Sequence, residues 1–232
     1  MQPNKLFQSF AAFFVSLTIL LFSPFTQAAS EAKASTPDPL NPHETVQQAT
    51  DALIERLKQD RAEAEKNPDL YRVIIEDTLG HMVDFNLIAK RVMAKNYKLA
   101  SADQRNAFAN AFKESLLKTY ATGLSAFDDQ EIVLLPFKGI KSKKTKSGKV
   151  IERAKVEMEI RTKEGDVYPI LYAMYKGRNG WKLENLTLNG VNLGLTFRNQ
   201  FSEALKSKKG NLDQVIASWD SNLGGVKKDD AK

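Results

Sequence analysis

The sequence predicts an α+β domain: an antiparallel four-stranded sheet with helices packed on one face. Three observations predict it. Apolar residues recur at helical spacing as far as Leu124, switch to a period of two between Glu131 and Leu188, and return to helical spacing up to Trp219. The strand candidates are separated by short turn-forming loops, which makes neighbours antiparallel. The helical segments lie before and after the strands, which segregates helices from sheet instead of interleaving them.

The elements follow in order. Asn41-Pro42-His43-Glu44 supplies an N-cap, a Pro in the first turn and a Glu three residues after the cap. Val46, Ala49, Leu53 and Leu57 then repeat at helical spacing, and charges dominate from Glu55 to Lys66. Asn67-Pro68 reads as a second start, leading into Leu70, Tyr71, Ile74 and Ile75, with Gly80 as the stop. Asp84 caps a short helix through Phe85, Leu87, Ile88 and Val92. Ser101 and Gln104 form another capping box and open the strongest helix, whose Phe108, Phe112, Leu116, Leu117, Tyr120 and Leu124 make one wide apolar stripe.

Strands are expected at Glu131–Pro136, Val150–Thr162, Asp166–Lys176 and Gly180–Leu188. The second alternates, with Ala154, Val156, Met158 and Ile160 inward and Arg153, Lys155, Glu157, Glu159 and Arg161 outward. The third is apolar on both sides: Tyr168, Ile170, Tyr172 and Met174 on one, Val167, Leu171, Ala173 and Tyr175 on the other. That is more apolar surface than a two-layer core needs, and the excess points to an apolar ligand held inside. Lys163-Glu164-Gly165-Asp166 and Gly177-Arg178-Asn179-Gly180 are hairpin turns. The lysines between Lys138 and Lys149, with Gly139 and Gly148, read as a solvated hairpin loop. Helices at Thr196–Leu205 and Asn211–Trp219 close the chain.

The ends carry address and slack. Lys5, an apolar run from Phe7 to Phe25, the breaker Pro24 and small residues at Thr26-Gln27-Ala28 have the pattern of a cleaved export signal over residues 1–28. Residues 29–42 read as a linker, 43–223 as one domain and 224–232 as a frayed tail. No cysteine is present, so the exported chain folds on its core without disulfides. The formal charge is +6, and cleavage removes Lys5 and no acid, leaving one unit less. A basic surface suits anionic headgroups or an acidic partner as well as mere solubility. Nucleic acid is a poor fit for an exported protein.

Catalytic signatures are missing. The two histidines, His43 and His81, lack metal-ligand spacing, and there is no G-x-S-x-G elbow or phosphate loop. Acids such as Asp77, Asp84 and Glu184 form no marked pair, while Tyr120, Tyr168 and Tyr172 remain possible donors in a cavity.

Several motifs together resemble the MlaC family, also called toluene-tolerance or Ttg2-type proteins. They are Trp181-Lys182, Gly190-Val191-Asn192-Leu193 and Arg198-Asn199-Gln200-Phe201, with Asp84-Phe85, Gln104-Arg105, Phe108, Phe112 and Tyr120-Ala121 upstream. The resemblance runs from about Thr45 to Trp219. Phe197 stands where the family often has Tyr, and Asn192 where it often has Ser. The resemblance implies a curved, NTF2-like sheet with extra N- and C-terminal helices. It also implies a periplasmic phospholipid carrier that maintains outer-membrane lipid asymmetry, for which a monomer is the simplest expectation, since a shuttle presents its mouth to two partners in turn. Its implied partners are an outer-membrane lipoprotein–porin complex and an inner-membrane ABC transporter with an MCE-domain protein. Phospholipid is then cargo, and no cofactor or metal is expected.

On that reading the acyl tails lie between the sheet and the long helix. The sheet would contribute Val156, Met158, Ile160, Ile170, Tyr172, Met174, Leu186 and Leu188. The helices would contribute Phe112, Leu116, Tyr120, Phe197 and Phe201. Arg198 would either meet a lipid phosphate or pair with an acid and fix the last helices. A periplasmic chaperone or lipoprotein carrier, and a cavity enzyme, are the alternatives.

Overall fold

The computed structural model describes residues 40–125, 127 and 130–219. The expected export signal, most of the linker and the C-terminal tail lie outside the described residues. Six α-helices and six strands follow in the order α1 (Pro42–Lys66), α2 (Leu70–Leu79), α3 (Phe85–Met93), α4 (Ala102–Ser125), β1 (Glu131–Leu134), β2 (Ile140–Lys144), β3 (Val150–Arg161), β4 (Val167–Gly177), β5 (Gly180–Leu188), β6 (Val191–Asn192), α5 (Leu193–Ser207) and α6 (Leu212–Ser218).

Four helix starts sit where the sequence signals them, while α5 starts at Leu193, ahead of the expected Thr196, because Asn192 caps it. The Asn41 Oδ1 accepts from the Glu44 N–H at 2.9 Å, and the Glu44 carboxylate accepts from the Asn41 N–H. Ser101 and Gln104 make the same reciprocal pair before α4. Asp84 and Asn211 cap α3 and α6. These side chains satisfy backbone donors that have no partner within the helix. Asn67 departs from its reading as a start: its N–H donates to the Glu63 carbonyl and ends α1, and α2 begins at Leu70.

The sheet is antiparallel, in the order β1-β3-β4-β5-β6, with β2 also paired to β3. Six strands therefore replace the four expected. The long β3 is flanked along one edge first by β2, Ile140 opposite Ala154, and then by β1, Leu134 opposite Met158. The β2 strand is wholly exposed and reads IKSKK. A local hairpin with both faces in water needs no apolar alternation, so periodicity could not reveal it. Its lysines suit an edge that must not pair with another sheet. The short β6 extends β5 through Gly190, whose positive φ of 81° closes the turn.

Helices pack on the face bearing Val156, Met158, Ile170 and Met174. Three apolar clusters result. The largest joins α3, α4, α5 and α6, where the Phe108 ring meets Phe201 and Trp219 edge-on, each with centroids 5.0 Å apart. A second seats Val46 of α1 on Ala154, Val156, Met174 and Trp181. A third joins α1, α2 and the end of α4. Among the described residues no helix is long and apolar enough to cross a membrane.

Candidate functional site

Between the three clusters the helices do not meet the sheet. They leave a cavity of about 650 Å³, walled by α1 to α5 on one side and by β1, β3, β4 and β5 on the other. Its walls explain a pattern in burial. Leu116, Tyr120, Leu186 and Leu188 point between the layers yet are only half-buried, because they face a space instead of a neighbour.

Eleven of the fourteen expected residues border this space. Phe112, Leu116 and Tyr120 come from α4, Met158 and Ile160 from β3, and Ile170 and Tyr172 from β4. Leu186 and Leu188 come from β5, and Phe197 and Arg198 from α5. Three do not border it. Val156 and Met174 share the inward face but lie where α1 sits directly on the sheet, and both are fully buried against Val46 and its neighbours. Phe201 lies one turn beyond Phe197, and α6 brings Trp219 against it, so it belongs to the helical core.

The expectation also missed an entire wall. Leu53, Ile54 and Leu57 of α1, Ile75 and Leu79 of α2, and Phe85 and Ile88 of α3 border the cavity. Their helical spacing marks an apolar face, but spacing does not distinguish a face on a void from a face on a neighbour.

The rim and wall hold few polar groups, and most are engaged. The Thr50 hydroxyl donates to the Val46 carbonyl at 2.8 Å. Asn185 accepts from the Gly194 N–H and donates to Asn192 Oδ1, each at 2.9 Å. A Cβ at Gly194 would lie 2.4 Å from Asn185 Oδ1, so any larger residue would push the Asn185 side chain out of these bonds. Asn192 in turn caps α5 by accepting from the Leu195 N–H at 3.0 Å. Lys113 pairs with Glu76. Arg198 donates from Nε to the Arg91 carbonyl at 3.3 Å, and among the described residues no carboxylate lies within ion-pair distance of it. Its acid pair is not formed. Arg198 and Leu195, which is 53% exposed, mark where the cavity reaches the surface.

Glu184 anchors the β5 side. It is the extra residue of a bulge, since Ala173 pairs with Asn185 and Met174 with Leu183. Its carboxylate accepts from Arg91 of α3 and from Arg153 of β3. Burial pushes its pKa up, but the hydrogen bonds and charges of Arg153 and Arg91 outweigh this and hold it below the usual glutamate range. A depressed folded-state pKa contributes stability above the ordinary 4.5, lost as pH falls through the folded value. Glu184→Gln is therefore expected to destabilise the protein at neutral pH and to flatten the acid limb of its stability. Urea unfolding between neutral and acidic pH checks this, and an unchanged acid limb would remove Glu184 from the account.

The family model described as MlaC protein matches residues 47–221. The chain belongs to the MlaC family. The toluene tolerance protein ttg2D of Pseudomonas putida is 31% identical over 187 residues, covering 80% of this chain and 83% of that one. The intermembrane phospholipid transport system binding protein MlaC of Haemophilus influenzae is 28% identical over 92 residues, 40% of this chain and 43% of that one. Among solved structures, a phospholipid-binding protein from Ralstonia solanacearum in complex with a phospholipid superposes with a TM-score of 0.69. It is 22% identical, covering 79% of this chain and 97% of that one, and shares the fold.

Proposed function

We propose that this MlaC-family protein is a soluble periplasmic phospholipid carrier, exported by residues 1–28, that holds acyl tails in the cavity between sheet and helices. The observation that carries the reading is the cavity itself. An apolar cavity of roughly 150 Å³ takes one benzene, so about 650 Å³ has room for on the order of two dozen carbons. The cavity opens at Arg198 and Leu195, so without cargo its largely apolar lining faces water, and tails that displace that water are favoured. Each buried methylene is worth about 0.8 kcal/mol, which supplies the filling energy and explains why a two-chain lipid needs a carrier to cross water.

The wider reading follows the family. The domain spans residues 43–223, its sheet is the curved cradle of an NTF2-like arrangement, and it works as a monomer that meets two membrane partners in turn. Those partners are an outer-membrane lipoprotein–porin complex and an inner-membrane ABC transporter with an MCE-domain protein, and the traffic maintains outer-membrane lipid asymmetry. The similarity to an intermembrane phospholipid transport binding protein supports this. An acid–base enzyme fits less well, because the carboxylates bordering the cavity, Glu76 and Glu184, are tied up with Lys113, Arg91 and Arg153.

Native mass spectrometry of the purified mature protein, followed by solvent extraction, tests the reading. The expected result is a discrete adduct that extracts as intact diacyl phospholipid. A protein that arrives empty and stays empty after mixing with phospholipid vesicles overturns it and favours a chaperone.

A further inference from the structure

Two hydroxyls in the cavity wall have no partner. Tyr120 of α4 and Tyr172 of β4 both border the cavity, one from the helix layer and one from the sheet, close enough to interact electrostatically. Neither hydroxyl makes a hydrogen bond among the described residues. The neighbouring uncharged polar groups, Thr50, Asn185 and Asn192, are all engaged. Both residues are half-buried and open on the cavity, so a bound apolar tail would cover their hydroxyls, and a donor covered without an acceptor costs more than its bond would return. Two such donors facing one space therefore indicate an acceptor that enters with the ligand.

The tyrosines are neutral donors. Burial pushes the Tyr120 hydroxyl up to about 12, and burial with the nearby Tyr120 pushes Tyr172 higher still. Each then offers one O–H. The pair is set back from the charged rim. Phe112 packs edge-on against Phe197, next to Arg198, and Tyr120 is eight residues further along α4, about 12 Å along its axis.

We propose that Tyr120 and Tyr172 form a polar subsite that donates hydrogen bonds to the ester carbonyls of a bound diacyl lipid and so selects ester-linked over ether-linked chains. This rests on the phospholipid reading above. In such a lipid the phosphate is charged and hydrated and belongs at the rim, where Arg198 lacks a carboxylate partner. Beyond the carbonyls, a saturated tail offers only methylenes. The two ester carbonyls are the strong acceptors on the apolar side of the phosphate, and two phenols face that region. An ether oxygen lacks the projecting carbonyl and accepts more weakly.

The test is competition for delipidated protein between diacyl and dialkyl phosphatidylethanolamine of equal chain length, read by native mass spectrometry. Wild type is expected to prefer the diacyl lipid roughly tenfold, a few-fold per hydrogen bond. The Tyr120→Phe/Tyr172→Phe double variant should lose that preference while still loading the dialkyl lipid, which also reports that it is folded. Each single variant should lose part of it. A wild type that loads both lipids equally, or a double variant that keeps the full preference, overturns the subsite and leaves the carrier reading standing. A wild type that loads neither overturns both.

Discussion

Leu188→Glu is expected to yield a folded, exported protein that carries no lipid. Leu188 borders the cavity opposite Ile170 and is only half-buried. In the lipid-free protein its new carboxylate can be hydrated by water in the cavity, so stability should fall little. Acyl tails would have to expel that water, and desolvating an unpaired carboxylate costs several kcal/mol, more than about a hundredfold in affinity. Val156→Glu supplies the contrast. Val156 is on the same inward face but has no exposure and is packed under Val46. There the same carboxylate meets side chains instead of water, and the variant should fail to fold. Lipid content after purification, together with thermal unfolding, separates the two. A Leu188→Glu protein that folds and carries a full complement of lipid would show that the tails lie elsewhere.

The second large effect is on stability. Phe108 is completely buried and packs edge-on against Phe201 and Trp219 and tilted against Phe112, tying α4 to α5 and α6. Phe108→Ala is expected to cost about 3–5 kcal/mol, a large share of the ~5–15 kcal/mol available to a domain. Urea unfolding should show the midpoint falling by that free energy divided by the slope, with the slope itself unchanged. Because α5 supplies Phe197 and Arg198 to the cavity, lipid retention should also drop. A loss below about 1 kcal/mol would mean that α6 does not anchor this face.

Four of the helix starts were legible because each is a local event. Asn41, Asp84, Ser101 and Asn211 bond to backbone within three residues, so a few letters contain the whole interaction. The inward face of β3 was legible for a similar reason, since alternation follows from the pleat alone. β2 was not, because a solvated hairpin imposes no pattern on its side chains.

By itself the sequence determined the succession of helices, four of the six strands, four of the caps, the inward faces and a surplus of apolar residues. Only the tertiary structure decided where that surplus encloses space. Val156 and Met158 are two residues apart on one face of one strand, and α1 covers the first while leaving the second on the cavity. Phe197 and Phe201 are one helical turn apart, and Trp219, from far along the chain, claims the second for the core. Periodicity states which way a side chain points. Whether it meets a neighbour or a void depends on distances between elements, which arise only when the layers pack.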